Sequence, residues 1–129
     1  MPNASLLKIM IVDDQRVMRT LVQSSAQQLG IGACIQAEDG EEALRLLESR
    51  QAHLVLSDLN MPKLDGLGLL RAVRQHPRLK DLAFIMLTSR GDSDLVREAV
   101  GLRVNNYLMK PFSLEGLRIK IEAVLGPLT

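Results

Sequence analysis

The chain has 129 residues, and 16 Lys and Arg against 15 Asp and Glu leave a formal charge of +1 at pH 7. At 47% apolar content, this length supports one domain with a substantial core, and the one cysteine, Cys34, excludes an internal disulfide. The balanced charge excludes a dedicated nucleic-acid or membrane surface, and the apolar run from Leu82 to Leu87 is far short of the roughly 20 residues that cross a bilayer. A lone thiol and an N-terminus without a basic, apolar leader point to a cytoplasmic protein.

Five short apolar runs alternate with helical patterns, the signature of βα units around a parallel sheet covered on both faces. The first strand is predicted at 8–12. Val17, Met18, Leu21, Val22, Ser25 and Leu29 form the apolar stripe of the helix that follows it. A second strand is predicted at 33–36. Its helix is opened by the capping pair Asp39 and Glu42 and carries Ala43, Leu44 and Leu47. The third strand, 54–57, leads to a helix with Leu69, Leu70 and Val73, and the fourth, 84–87, to one capped by Asp92 or Ser93 and carrying Leu95, Val96 and Ala99. The fifth strand is predicted at 106–109. Ser113 caps the last helix, which carries Leu114, Leu117, Ile121 and Val124. The methionines Met10, Met86 and Met109 and the thiol of Cys34 read as buried fillers. The organisation expected is a single domain over 1–129, with its core at about 7–125 and no output domain.

In an open parallel sheet, ligands bind outside the carboxyl ends of the strands. Those ends carry Asp13-Asp14, Asp58, Thr88-Ser89 and Lys110-Pro111. Three carboxylates, a hydroxyl and an ammonium therefore converge on one rim. Crowded carboxylates repel one another unless a hard cation joins them, and Mg²⁺, which bridges carboxylate and phosphoryl oxygens, suits the set best. The lysine and threonine suit oxygens that gain charge, so the chemistry implied is phosphoryl transfer to a carboxylate. His53 precedes the third strand and lies at the opposite end of the sheet, and His76 stands before Pro77 in a loop. Both read as surface or capping groups, not as phosphocarriers.

The pieces Ile11-Val12-Asp13-Asp14, Leu56-Ser57-Asp58-Leu59-Asn60-Met61-Pro62 with Asp65-Gly66, Thr88-Ser89 and Tyr107-Leu108-Met109-Lys110-Pro111-Phe112, in that order, resemble the receiver domain of two-component response regulators. The resemblance runs from about residue 8 to 125. It implies a doubly wound α/β fold, a five-stranded parallel sheet in the order 2-1-3-4-5 with five helices, and a cis bond between Lys110 and Pro111. Asp58 would be the phosphoacceptor, taking its phosphoryl group from a histidine kinase or a histidine phosphotransfer protein. Asp14, Asp58 and the backbone carbonyl of Asn60 would ligate Mg²⁺ directly, with Asp13 acting mainly through water. Lys110 and Thr88 would contact the phosphoryl group, and Tyr107 would turn inward when Thr88 moves. Asn60 and Arg90 would flank the water that resets the site. The readout would be a downstream target protein bound to the face of the fourth helix, fifth strand and fifth helix, roughly 92–101, 105–109 and 114–125. The protein is expected to be a monomer.

Two features depart from that pattern or compete with it. Arg103 and Val104 stand where a Gly and a small residue are common, so the fourth helix is expected to end at Gly101 and the next turn to be bulkier than usual. An aspartyl-phosphate hydrolase of the haloacid-dehalogenase type would need a second Asp two residues after the nucleophile as general acid, and that position is Asn60. A switch without external turnover is therefore favoured over an enzyme. A relay that passes its phosphoryl group onward is the alternative within the same class.

Overall fold

A computed structural model describes residues 3–129. A short 3₁₀ turn at Ala4–Leu6 precedes β1 (Lys8–Val12), α1 (Arg16–Gln28), β2 (Ala33–Ala37), α2 (Gly40–Ser49) and β3 (Leu54–Asp58). Then follow α3 (Gly66–Gln75), β4 (Ala83–Thr88), α4 (Ser93–Gly101), β5 (Asn106–Met109) and α5 (Leu114–Leu125). All four strand pairs are parallel and the order is β2-β1-β3-β4-β5, as the resemblance implied. Three strands extend one residue or so past their predicted ends. As a result Asp58 and Thr88 are the last residues of β3 and β4, not the first residues after them.

Alternation along the strands divides the core in two. Ile9, Ile11, Leu54, Leu56, Ile85 and Leu87 face α1 and α5, where they meet Val22, Ala26, Leu117 and Ile121. Met10, Val12, Val55, Phe84 and Met86 face the other layer and pack on Leu47, Leu70, Val73 and Ala99 of α2, α3 and α4. Burial on both faces is why the strands read as continuous apolar runs.

Two sequence readings of burial are corrected. Val17 and Leu21 in α1 are 79% and 50% exposed, and the buried face of that helix is Arg19, Val22, Ser25 and Ala26. The covered stripe of α1 is narrower than the apolar spacing predicts. Met109 is exposed, because β5 is the edge strand and only Leu108 of its last three residues points into the core, while Cys34 in the opposite edge strand is half-buried. Met10 and Met86 are fully buried as expected.

The capping predictions hold in most cases. Asp39 accepts from the Glu42 amide, Ser113 from the Gly116 amide, and Asp65, which the sequence reading did not use as a cap, from the Gly68 amide. Asp92 stands at the N-cap of α4 but makes no capping bond. Its Oδ2 instead accepts from the Ser89 amide at 2.7 Å.

The α4–β5 turn departs from the family pattern, and the structure supplies the reason it is stable. Helix α4 ends at Gly101 as expected, and Arg103 adopts a left-handed φ of 64°. All five N–H groups of Arg74 in α3 are engaged nearby. Nε and Nη2 donate to the Arg103 carbonyl at 3.3 and 2.9 Å, Nη1 to the Lys80 and Leu82 carbonyls at 3.1 and 2.7 Å, and Nη2 also to Asn105 Oδ1 at 3.0 Å. Asn105 Oδ1 accepts the Phe84 amide as well, at 2.7 Å. One guanidinium thus clamps the bulky turn to the start of β4. His53 works similarly at the same end of the sheet, its Nδ1 accepting the Lys8 amide at 3.0 Å, and His76 Nδ1 accepts from the Arg78 amide. Both histidines are backbone caps, as the sequence indicated.

Candidate functional site

At the carboxyl ends of the strands, β1 delivers Asp13 and Asp14, β3 delivers Asp58, β4 Thr88, and the segment after β5 Lys110. Asp58 is buried, and its Oδ1 accepts two hydrogen bonds, from the Leu59 amide at 3.0 Å and from Lys110 Nζ at 3.0 Å. Its Oδ2 accepts none from the described residues. The Lys110–Pro111 bond that follows is cis, as the resemblance implied. The loop after β3 is pressed tightly against α3. A Cβ on Gly66 would lie 2.3 Å from the Asp58 carbonyl oxygen, so only glycine fits there, and the Gly66 amide donates to the Leu59 carbonyl at 2.9 Å.

Asp13 is the most buried of the acids, at 1% exposure. Its amide donates to the Ala37 carbonyl and its Oδ1 accepts the Gln15 amide at 2.9 Å. Among the described residues its Oδ2, which is buried, has no hydrogen-bond partner, and Lys110 Nζ lies 3.9 Å away. Burial pushes the Asp13 carboxyl above its ordinary range. The Gln15 hydrogen bond opposes that rise, the Asp58 charge reinforces it, Lys110 opposes it, and Asp14 adds a smaller push upward. Asp14 is exposed, and one carboxylate oxygen each from Asp13, Asp14 and Asp58 lie within 4.8 Å of one another. An unpartnered buried acceptor inside a trio of carboxylates is the donor set of a hard divalent cation.

Thr88 is buried at the rim, with a long 3.5 Å contact from Oγ1 to the Leu108 carbonyl. Asn60 and Arg90, two residues beyond Asp58 and Thr88, are exposed. Tyr107 is 43% exposed and turned outward, with Lys120 Nζ 5.3 Å from its ring centre. A shallow pocket bounded by Thr88, Arg90, Gly91, Val96 and Tyr107 lies between ring and threonine. The structure therefore brings Asp13, Asp14, Asp58, Thr88 and Lys110 together, with Asn60 and Arg90 at the margin and Tyr107 across the pocket. The sequence reading missed the Leu59 amide on Asp58 and the buried Arg19 beneath the β1–α1 loop. Backbone donors carry no residue signature, and an arginine among apolar helical positions reads as a solvated side chain.

A rim of this kind on a 2-1-3-4-5 sheet defines a receiver domain. The family model for the response regulator receiver domain matches residues 9–122, and the chain belongs to that family. It is 46% identical to a probable chemotaxis protein CheY of Rhizobium etli over 97% of both chains, and 40% identical to the chemotaxis protein CheY of Pseudomonas aeruginosa over 92% of this chain and 95% of that one. Among solved structures, CheY4 of Vibrio cholerae superposes with a TM-score of 0.85 at 30% identity, covering 92% of this chain and 98% of that one. The protein is thus a CheY-like receiver domain of two-component signalling. Among the described residues no helix is long and apolar enough to cross a membrane.

Proposed function

We propose that this receiver is a phosphorylation-dependent switch in which Asp58 takes a phosphoryl group from a phosphohistidine on a histidine kinase or phosphotransfer protein. Asp58 carries the argument: its Oδ1 is held by Lys110 and the Leu59 amide, which leaves Oδ2 to form the new O–P bond as the P–N bond of the donor breaks. Asp14, Asp58 and the Asn60 carbonyl would hold Mg²⁺, with Asp13 reaching it through water. When bound, Mg²⁺ supplies positive charge to the phosphoryl oxygens. Lys110 keeps its ammonium at the same oxygens, and Thr88 offers its hydroxyl once the rim closes on the phosphoryl group. Asn60 and Arg90 border the path of the hydrolytic water and set the lifetime of the phosphoaspartate. No external substrate is turned over, since Asn60 cannot serve as general acid.

The readout proceeds through α4, β5 and α5. Thr88 and Lys110 end adjacent strands, so drawing both toward Asp58 shifts the loop of Ser89, Arg90 and Gly91 and opens the pocket into which Tyr107 turns. The face around it already exposes Val100, Tyr107, Met109 and Ile119, an apolar set suited to a target protein. Incubation with a small phosphodonor and Mg²⁺ should give one hydroxylamine-labile acyl phosphate. Full labelling of Asp58→Ala would reject the assignment. With a beryllofluoride mimic, amide shifts should extend from the rim to Tyr107 and 92–101, and shifts confined to the rim would reject this output face.

A further inference from the structure

The β1–α1 loop holds two of the three acids, and what fixes it is a side chain that neither the motif nor the rim chemistry uses. Arg19, in the second turn of α1, is 9% exposed. Its Nη1 donates to the carbonyl oxygen of Asp13 at 2.8 Å, a buried hydrogen bond, and its Nε donates to Gln36 Oε1 in β2 at 3.1 Å. Gln36 is held in turn, its Nε2 donating to Gln23 Oε1 of α1. Among the described residues no carboxylate lies within 4.0 Å of the guanidinium. A buried cation with only neutral partners costs free energy, so its contribution must be sought in what it orients.

That oriented group is the peptide joining the two acids. The Asp13 carbonyl belongs to the Asp13–Asp14 peptide, so a charge-assisted donor on it sets the direction in which Asp14 leaves the loop. The Ala37 carbonyl already holds the Asp13 amide, and the Gln15 amide holds Asp13 Oδ1. Asp14 is exposed, and among the described residues its own amide and carboxylate have no such anchors. Its backbone is held from both sides, by the Gln15 amide on the peptide that follows it and by Arg19 on the peptide that precedes it, and of the two only the Arg19 contact comes from a side chain outside the loop.

Resting on the reading of the rim as a Mg²⁺ site, we infer that Arg19 is a positioning residue, which sets the affinity of the acid pair for a divalent cation by holding the Asp13–Asp14 peptide from beneath. Its influence is geometric and acts against its own charge. As a positive charge near the site, Arg19 repels a cation, and as a hydrogen-bond donor it preorganises the ligands. The two roles give opposite signs when the side chain is replaced.

The test is calorimetric titration of the full chain with Mg²⁺, comparing the parent, Arg19→Met and Arg19→Lys. Loss of an orienting contact to a ligand-bearing residue should weaken Mg²⁺ binding by about tenfold in Arg19→Met, with Arg19→Lys, which keeps one donor, in between. Phosphorylation by a small phosphodonor should require correspondingly more Mg²⁺ in Arg19→Met but reach the parent rate at saturation, a separation that general loosening of the fold would not give. A folded Arg19→Met that binds Mg²⁺ within about twofold of the parent, or more tightly, overturns the inference. If Arg19→Met does not fold, Gln36→Met, which removes the second anchor of the guanidinium, should weaken Mg²⁺ in the same direction, and unchanged affinity there is equally fatal. A parent chain that binds no Mg²⁺ overturns the site reading itself and this inference with it.

Discussion

Removing the charge of Asp13 separates what the site costs the fold from what it gains on binding a cation. The Asp13 carboxylate is buried, with Oδ2 unpartnered, Lys110 Nζ at 3.9 Å and oxygens of Asp58 and Asp14 within 4.8 Å. At an effective dielectric of about 20, unit charges 4.8 Å apart repel by about 3.5 kcal/mol and those 3.9 Å apart attract by about 4.3 kcal/mol. Lys110 therefore offsets the repulsion from Asp58. The repulsion from Asp14 is left, cut to about 1 kcal/mol by solvent around that exposed group, together with the cost of burying Oδ2. The raised pKa of Asp13 agrees in sign, since burial and like charge outweigh its favourable partners. Asp13→Asn keeps an acceptor for the Gln15 amide and should stabilise the chelator-treated protein by about 1–2 kcal/mol, or roughly 4–8 °C in melting temperature for a chain of this length. Asp14→Ala should stabilise less, because Asp14 is already in water. The parent should gain about 1.4 kcal/mol when free Mg²⁺ exceeds its dissociation constant tenfold, and Asp13→Asn should gain much less. Urea melts with and without Mg²⁺ measure both effects. An Asp13→Asn protein no more stable than the parent in chelator, or one with an undiminished Mg²⁺ response, would refute the electrostatic account.

Three further outcomes can be checked directly. Arg74→Met should cost about 2 kcal/mol in chemical denaturation, because most of the four acceptors regain water and only the half-buried Leu82 carbonyl pays the full loss; a change under a few tenths would mean that the clamp is ornamental. Gly66→Ala forces a methyl against the Asp58 carbonyl and should destabilise by about 1–3 kcal/mol while slowing phosphorylation, both read on the same preparation. The Glu115 carboxylate, hydrogen-bonded to the Arg118 guanidinium, sits below its ordinary pKa of 4.5, so its small contribution is present above that value and fades as pH falls through the lowered one. Side-chain NMR titration should show that midpoint returning upward in Arg118→Gln.

The two-faced core and the assembly of Asp13, Asp14, Asp58, Thr88 and Lys110 were legible because each rests on a pattern that one-dimensional reading detects, whereas the strand order was implied only by the resemblance to receiver domains. Buried parallel strands announce themselves as apolar runs, and rim residues as polar groups that end those runs. What escaped was of two kinds. Val17, Leu21 and Met109 have apolar side chains but lie outside the covered faces, at the margin of α1 and on the edge strand, and sequence alone does not show where a neighbouring layer stops. Arg19 and Arg74 are the converse. Each is a cation drawn inward by backbone carbonyls from segments distant in sequence, and carbonyls have no residue identity to read.

These two arginines sit at opposite ends of the sheet, and the contrast bears on which end moves. At the amino ends of β4 and β5, Arg74 and Asn105 tie α3, the start of β4 and the α4–β5 turn together, and His53 caps the first residue of β1. At the carboxyl ends, Asp13 Oδ2 lacks a partner, Thr88 Oγ1 makes only a 3.5 Å contact, and Asp92 spends its carboxylate on Ser89, leaving α4 without a side-chain cap. A charge change at Asp58 meets little resistance toward the β4–α4 loop and much resistance below it. Helix α4 is therefore expected to pivot about its clamped C-terminal end, its first turn moving most. Amide exchange in the beryllofluoride-treated protein should show this as a gradient along α4, greatest near Ser93 and least near Gly101. A uniform change along the helix would instead place the hinge outside the Arg74 clamp, and Arg74→Met would then leave that uniform profile unaltered.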